Sequence, residues 1–393
     1  MKSTNSVLSG LGTTVFEVMS RLADQHGSVN LGQGFPDDGF PVDVLEAAAD
    51  ATINGPNQYP SMFGIPALRQ AVAAHDERFY GIVADWQSEV MVTTGATEAL
   101  AACMLGLLEP GDEVVLFQPM YDCYVPMIRR GGATAKFVNL EPPDWTFTRE
   151  SLEAAFSERT KAVVLNNPLN PAGKAFTREE LELLAEVVAK YDAYVISDEV
   201  YEHLVFDGRA HIPFMTLPGM RERTLKIGSA GKTFSLTGWK IGYITAAPEL
   251  IKPVSKAHQF LVYTTTPNLQ AAVAEGLAKG DDYFETFVSD METKRDHLTE
   301  GLRSIGFDVF DSEGTYFLNI DISSAPDRPG DPRGIRSDDV EFCRFLTETV
   351  GVTAIPLSAF YDENPLRTVA RFCFAKKDET LDLALTRLRA HYS

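Results

Sequence analysis

The 393-residue chain is short of cysteine, short of positive charge and without a long apolar run. Its four cysteines, Cys103, Cys123, Cys343 and Cys373, form no C-x-x-C pair. That spacing argues against a disulfide framework or a zinc site, and for buried free thiols in a reducing compartment. Lysine and arginine total 35 against 55 acidic residues, a net charge of -20. Such a surface repels phosphate backbones and anionic lipid, which speaks against nucleic-acid and membrane partners. No run of 18 apolar residues occurs, and the N-terminal MKSTNSVLSGLG lacks the apolar core of a secretory signal. The expectation is a soluble, cytoplasmic protein. Internal repeats and low-complexity tracts are missing as well, and no metal-binding pattern is present.

What is there is an ordinary globular composition, 45% hydrophobic and 23% charged. The chain exceeds the length at which one hydrophobic core stops growing, so two domains are expected. Residues 1–40 read as an arm, with one short amphipathic face (Val15, Met19, Leu22) before the Gly/Pro-rich VNLGQGFPDDGFP. Helices are expected over 42–52 and from Pro66. From Val90 to about Thr245 strands and helices alternate, the mark of a largely parallel sheet covered on both faces. Thr177 with Glu180 forms a capping box at the start of one of these helices. Beyond Tyr243 come three helices, the last long and charged. Residues 314–322 and 368–376 then read as strands, and 338–350 and 378–391 as helices. The Pro/Gly/charge-rich stretch 324–336 reads as a mobile loop.

The chemistry centres on Ile227–Tyr243, IGSAGKTFSLTGWKIGY. A short strand runs into Gly228, Ser229, Ala230 and Gly231, small residues that let backbone approach a bulky polar group. Lys232 follows at once, with Lys240 eight positions on. An amine there can form a Schiff base with an aldehyde while Ser229 and Lys240 neutralise a phosphate. The P-loop reading of Gly231-Lys232-Thr233 fails, because Lys226 stands where that motif needs glycine. Other strand ends carry polar residues too. Gly95-Ala96-Thr97 turns from a strand into a helix N-terminus, a ready anion site. Tyr121 follows the strand DEVVLFQP, at the carboxyl edge where open α/β sheets bind ligands. Asn170 sits in an Asn/Pro-rich turn, and AYVISDEVYEHL ends a buried strand on Asp198, with Tyr201 just beyond. A carboxylate so placed is costly unless paired, so a cationic partner for Asp198 is expected.

Taken together, NPLNPAGK, ISDEVYEHLVF, SAGKTFSLTGWKIGY and RFCFAK resemble the fold-type I pyridoxal-phosphate aminotransferases, class I/II. The likeness runs from LGQGFPD to the final helix. It is greatest to the kynurenine/glutamine and methionine-type transaminases, with N-succinyldiaminopimelate aminotransferases also close. It implies an α/β fold with a mostly parallel sheet in a large PLP-binding domain and a smaller α+β domain. The expected division is an arm and part of the small domain at 1–41, the large domain at 42–284 and the small C-terminal domain at 285–393.

The resemblance also implies roles. Lys232 would bind pyridoxal 5'-phosphate as an imine and move the substrate α-proton. Asp198 would face the ring nitrogen, Asn170 and Tyr201 the phenolic oxygen, and Tyr121 the ring face. Ala96, Thr97, Ser229 and Lys240 would hold the phosphate, joined by Tyr59 from a second subunit of a homodimer. Arg371 would pair with the substrate α-carboxylate, assisted by Asn170 and the backbone of Gly34. Against this, Arg371 could be a structural ion-pair partner. The substrates implied are an amino acid and a 2-oxo acid. No second arginine is placed for a side-chain carboxylate, and Tyr263 with Thr264–Thr266 favours aromatic or thioether side chains. N-succinyldiaminopimelate transamination, β-elimination from cysteine conjugates and a non-catalytic coenzyme-binding regulator are the alternatives. Loop 324–336 is longer and richer in proline than the resemblance leads one to expect.

Overall fold

A computed structural model describes residues 2–392 apart from 327, 329, 330 and 333. Seven strands form the central sheet: β1 (Val90–Thr93), β2 (Glu113–Gln118), β3 (Thr134–Asn139), β4 (Thr160–Asn166), β5 (Tyr194–Asp198), β6 (Thr224–Ser229) and β7 (Gly242–Thr245). Their spatial order is β1-β7-β6-β5-β4-β2-β3. Every pairing is parallel except those of β7, which runs antiparallel to both β1 and β6. Strands β2 and β6 are buried at every position, as sequences such as EVVLFQ require when both faces of a sheet are covered.

The second sheet is antiparallel: β8 (Asp308–Val309), β9 (Phe317–Asp321), β10 (Ile355–Pro356) and β11 (Val369–Cys373), in the order β10-β11-β9-β8. The N-terminal segment joins this end of the molecule, because Val29–Asn30 pairs in parallel with Val352–Thr353. The 25-residue helix Asp281–Ile305 precedes the second sheet and stops at Gly306, whose φ of 106° a side chain would resist. Thr177 caps its helix with Glu180 as expected, and a second capping box, Thr148 with Ser151, was not read from the sequence. The helix expected over 338–350 runs from Asp339 to Phe345 and finishes in a wider turn, Leu346–Val350. Of the loop 324–336, residues 327, 329, 330 and 333 lie outside the described residues.

Between β6 and the helix Pro66–Tyr80 lies a buried ionic cluster. Lys226 Nζ stands 2.9 Å from Asp76 Oδ1 and 2.7 Å from Glu202 Oε2, and Thr245 donates to Asp76 Oδ2 at 2.7 Å. His75 and His203 meet Nε2 to Nε2 at 2.7 Å, a hydrogen bond in which one ring must carry the proton. Although His75, Glu202 and His203 are near enough to share an ion, Glu202 is already neutralised by Lys226.

Candidate active site

The segments beyond the carboxyl ends of β1, β2, β4, β5 and β6 line a cavity of about 350 Å³. Lys232, Asp198, Tyr201, Asn170 and Tyr121 line it, as do Ala96, Thr97, Ser229, Lys240, Gly34 and Arg371. Tyr59 does not: its ring is 83% exposed and rests edge-on against Tyr263 at 5.7 Å.

Lys232 leaves β6 through a single helical turn, Ala230–Thr233, so its stem rises directly from the sheet edge. Its Nζ lies 2.9 Å from the Tyr316 hydroxyl. Burial lowers the amine to about 8, with Lys240 and Arg371 adding to the effect and Asp198 opposing it. Asp198 ends β5, 5% exposed, and its partner within the chain is a phenol and not the expected cation. Tyr124 donates to Oδ2 at 2.6 Å, while Oδ1 is buried with no hydrogen-bond partner. Burial raises this carboxyl to about 6, and the Tyr124 hydrogen bond holds it from going higher.

Opposite these two, the N-terminus of the helix Gly95–Leu107 brings Ala96 and Thr97 to the cavity beside Ser229 and Lys240. The approach is close: a Cβ on Gly95, at φ 76°, would come within 3.0 Å of Lys240 Cε and 3.5 Å of its Cα. Lys240 itself takes a left-handed φ of 55°, an unusual conformation for its type that directs its chain to the anion side.

Arg371, on β11, is 1% exposed. It donates to Asn170 Oδ1 at 2.8 Å and to the Gly32 carbonyl at 3.0 Å. Its guanidinium carbon lies 3.9 Å from the Phe317 ring centre, 4.8 Å from Phe360 and 5.4 Å from Phe16. Among the described residues no carboxylate pairs with it, so the reading of Arg371 as a structural ion-pair partner finds no support. Asn170 is placed by Asn166, whose Oδ1 accepts the Asn170 N–H at 2.8 Å and whose Nδ2 donates to the Asp198 carbonyl at 2.9 Å. Sequence reasoning missed Asn166, Tyr124, Tyr316, Phe16 and Phe317. Asn166 was the most accessible of these, as a polar residue ending a buried apolar strand, the same signal that picked out Asp198.

The family model for aminotransferase class I and II matches residues 27–388. The chain is 45% identical to the probable N-succinyldiaminopimelate aminotransferase DapC of Mycobacterium tuberculosis, over 98% of each chain. It is 40% identical to the methionine aminotransferase of Escherichia coli, over 98% of this chain and 97% of the relative. To kynurenine–oxoglutarate transaminase 3 of Mus musculus it is 41% identical, over 98% of this chain and 89% of the relative. The solved M. tuberculosis N-succinyldiaminopimelate aminotransferase superposes with a TM-score of 0.93, covering 99% of this chain and all of that one.

Members of this family use pyridoxal 5'-phosphate, and the side chains present fit it. A buried amine suits the aldehyde, an unpartnered carboxylate oxygen suits a protonated ring nitrogen, and a helix N-terminus with a lysine suits the phosphate. With a matched family model and relatives of this identity over almost its full length, the chain belongs to the class I and II aminotransferases and is a pyridoxal-phosphate-dependent aminotransferase of fold type I.

Proposed function

We propose that the enzyme moves the amino group of an aromatic, sulfur-containing or glutamine-type amino acid to a 2-oxo acid, with Lys232 as the group that shifts the substrate α-proton. The bound coenzyme supplies an electron-accepting ring. Asp198 would keep the ring nitrogen charged through its free Oδ1. Tyr201 and Asn170 would hydrogen-bond the ring's phenolic oxygen, and Tyr121 would lie against the ring. Ala96, Thr97, Ser229 and Lys240 would hold the phosphate, with Tyr59 contributed by a second copy of the chain in a homodimer. Arg371 grips the substrate α-carboxylate with two parallel N–H groups, and Gly34 closes from the opposite side. Lowered to about 8, the Lys232 amine has a usable neutral fraction near neutral pH to take the substrate α-proton.

The observation that carries the substrate class is the cavity's charge. Its described lining holds the cations Lys232, Lys240 and Arg371, and the roles above occupy each of them. A second carboxylate on the substrate would meet no cation among the described lining residues, whereas Phe16, Phe35 and Phe317 offer apolar and aromatic surface. The relatives named for methionine and kynurenine agree with this. The relative at 45% identity named for N-succinyldiaminopimelate supports the rival substrate.

The deciding experiment assays methionine, phenylalanine, kynurenine and glutamine against N-succinyldiaminopimelate, each with several 2-oxo acids. Higher kcat/KM for the first group is expected, and a preference for the succinylated donor overturns the substrate class. Pyruvate and ammonia released from a cysteine conjugate without any acceptor would place the enzyme among carbon–sulfur lyases. Among the described residues no helix is long and apolar enough to cross a membrane.

A further inference from the structure

Tyr316 is a buried phenol to which none of these roles has been given. It follows Thr315 in the turn into β9, and Thr315 takes a φ of 68° although it is β-branched and fully buried. Such a backbone is an outlier that persists only where its surroundings over-determine it. Here it fixes the direction of the next side chain. The Tyr316 oxygen lies 2.9 Å from Lys232 Nζ and 3.2 Å from the Gly34 carbonyl oxygen. A carbonyl can only accept, so the one phenolic hydrogen goes to Gly34, and the phenol oxygen accepts an N–H of Lys232. The ring is held edge-on by Tyr201 and by Phe317, each 5.1 Å away.

We propose that Tyr316 is a positioning residue for the catalytic lysine: by accepting one N–H of Lys232 while donating to Gly34, it turns the amine's lone pair away from itself and toward the substrate's α-hydrogen. This rests on the reading of Lys232 as the proton-moving group. In the step it serves, the Lys232 lone pair takes the α-proton and the electron pair stays with the substrate. The ammonium keeps its bond to Tyr316, and no proton leaves the phenol. By accepting from the amine, the same oxygen also favours its charged form.

The test is Tyr316→Phe, which removes the hydroxyl and keeps the ring. With the holoenzyme and the best amino donor, single-turnover rates should fall by about 10–100-fold. KM and coenzyme content should stay near wild type, and the isotope effect with α-deuterated donor should rise. Independently of turnover, amine-selective labelling of Lys232 in the apoprotein, followed by peptide mass spectrometry across pH, should show it deprotonating at lower pH in the variant. Wild-type rates and an unchanged Lys232 titration overturn the proposal. So does a slowed variant whose isotope effect and titration do not move, because that is a packing defect. If wild type itself fails to transaminate, the functional reading falls, and the apoprotein titration still decides whether Tyr316 positions the amine.

Discussion

Tyr124 gives its phenolic hydrogen to Oδ2 of Asp198 at 2.6 Å and leaves Oδ1 of the same carboxylate bare. One oxygen is thereby anchored and the other reserved. Tyr124→Phe should weaken coenzyme binding by about 10–100-fold, the range for losing a hydrogen bond to a charged group. The loss should be largest near neutral pH, because without Tyr124 the carboxyl holds its proton to higher pH. Spectrophotometric titration of apoprotein with pyridoxal 5'-phosphate measures it.

The raised Asp198 carboxyl makes coenzyme affinity and folding stability depend on pH in opposite directions. Below about 6 it is protonated and cannot balance a ring cation, so affinity should fall as pH drops through that value. For folding of the apoprotein, the bound proton favours the native state at low pH. That contribution is lost as pH rises from the ordinary carboxylate range through about 6. Asp198→Asn should therefore leave an apoprotein at least as stable as wild type at pH 7–8. Its half-reaction rate should nonetheless fall by about 10²–10³-fold. Thermal unfolding and single-turnover spectra test the two halves.

Arg371→Lys keeps the charge but loses the planar fork and its contact with Phe317. KM for amino donors should rise by roughly 10–100-fold, with a smaller change in kcat. Steady-state kinetics with one donor and one acceptor suffices. Equal loss in KM and kcat would point to collapse of the surrounding rings.

Lys226→Met leaves Asp76 and Glu202 buried without their cation. Destabilisation of about 3–5 kcal/mol is expected at pH 7, the usual result of breaking a buried pair by removing one partner. Lys226 is the main cause that holds both carboxyls below their ordinary range, against burial. In wild type that stabilisation is present above the ordinary carboxylate range, about pH 4, and is lost as pH falls from there through the lowered native values. The gap between wild type and variant should therefore narrow as pH falls below about 4. Denaturant unfolding at a series of pH values reads it.

The parallel sheet and the residues at its strand ends were legible in the sequence because each signal is local. Apolar runs such as EVVLFQ end in small or polar residues, and Lys232, Asp198, Asn170 and Thr97 all occupy such ends. Tyr124 and Tyr316 were not legible. Their hydroxyls reach partners 74 and 84 residues away in sequence, and no periodicity records which tyrosine hydroxyl meets which side chain. Lys226 was read only as the residue that spoils a P-loop. Its two carboxylate partners come from a distant helix and from the turn after β5, so the ionic cluster exists only once the sheet has closed. Arg371 was found by its motif, but the rings that flank it come from three separate segments.

Arg371 ties together three parts of the chain: Gly32 from the N-terminal segment, Asn170 beyond the central sheet and its own strand in the second one. The proposed anchor for substrate is thus also a rivet of the architecture. Attempts to re-engineer this enzyme toward new acids have little freedom at position 371, and changes at Phe16 or Phe317 would disturb it too, because both rings lie against its guanidinium.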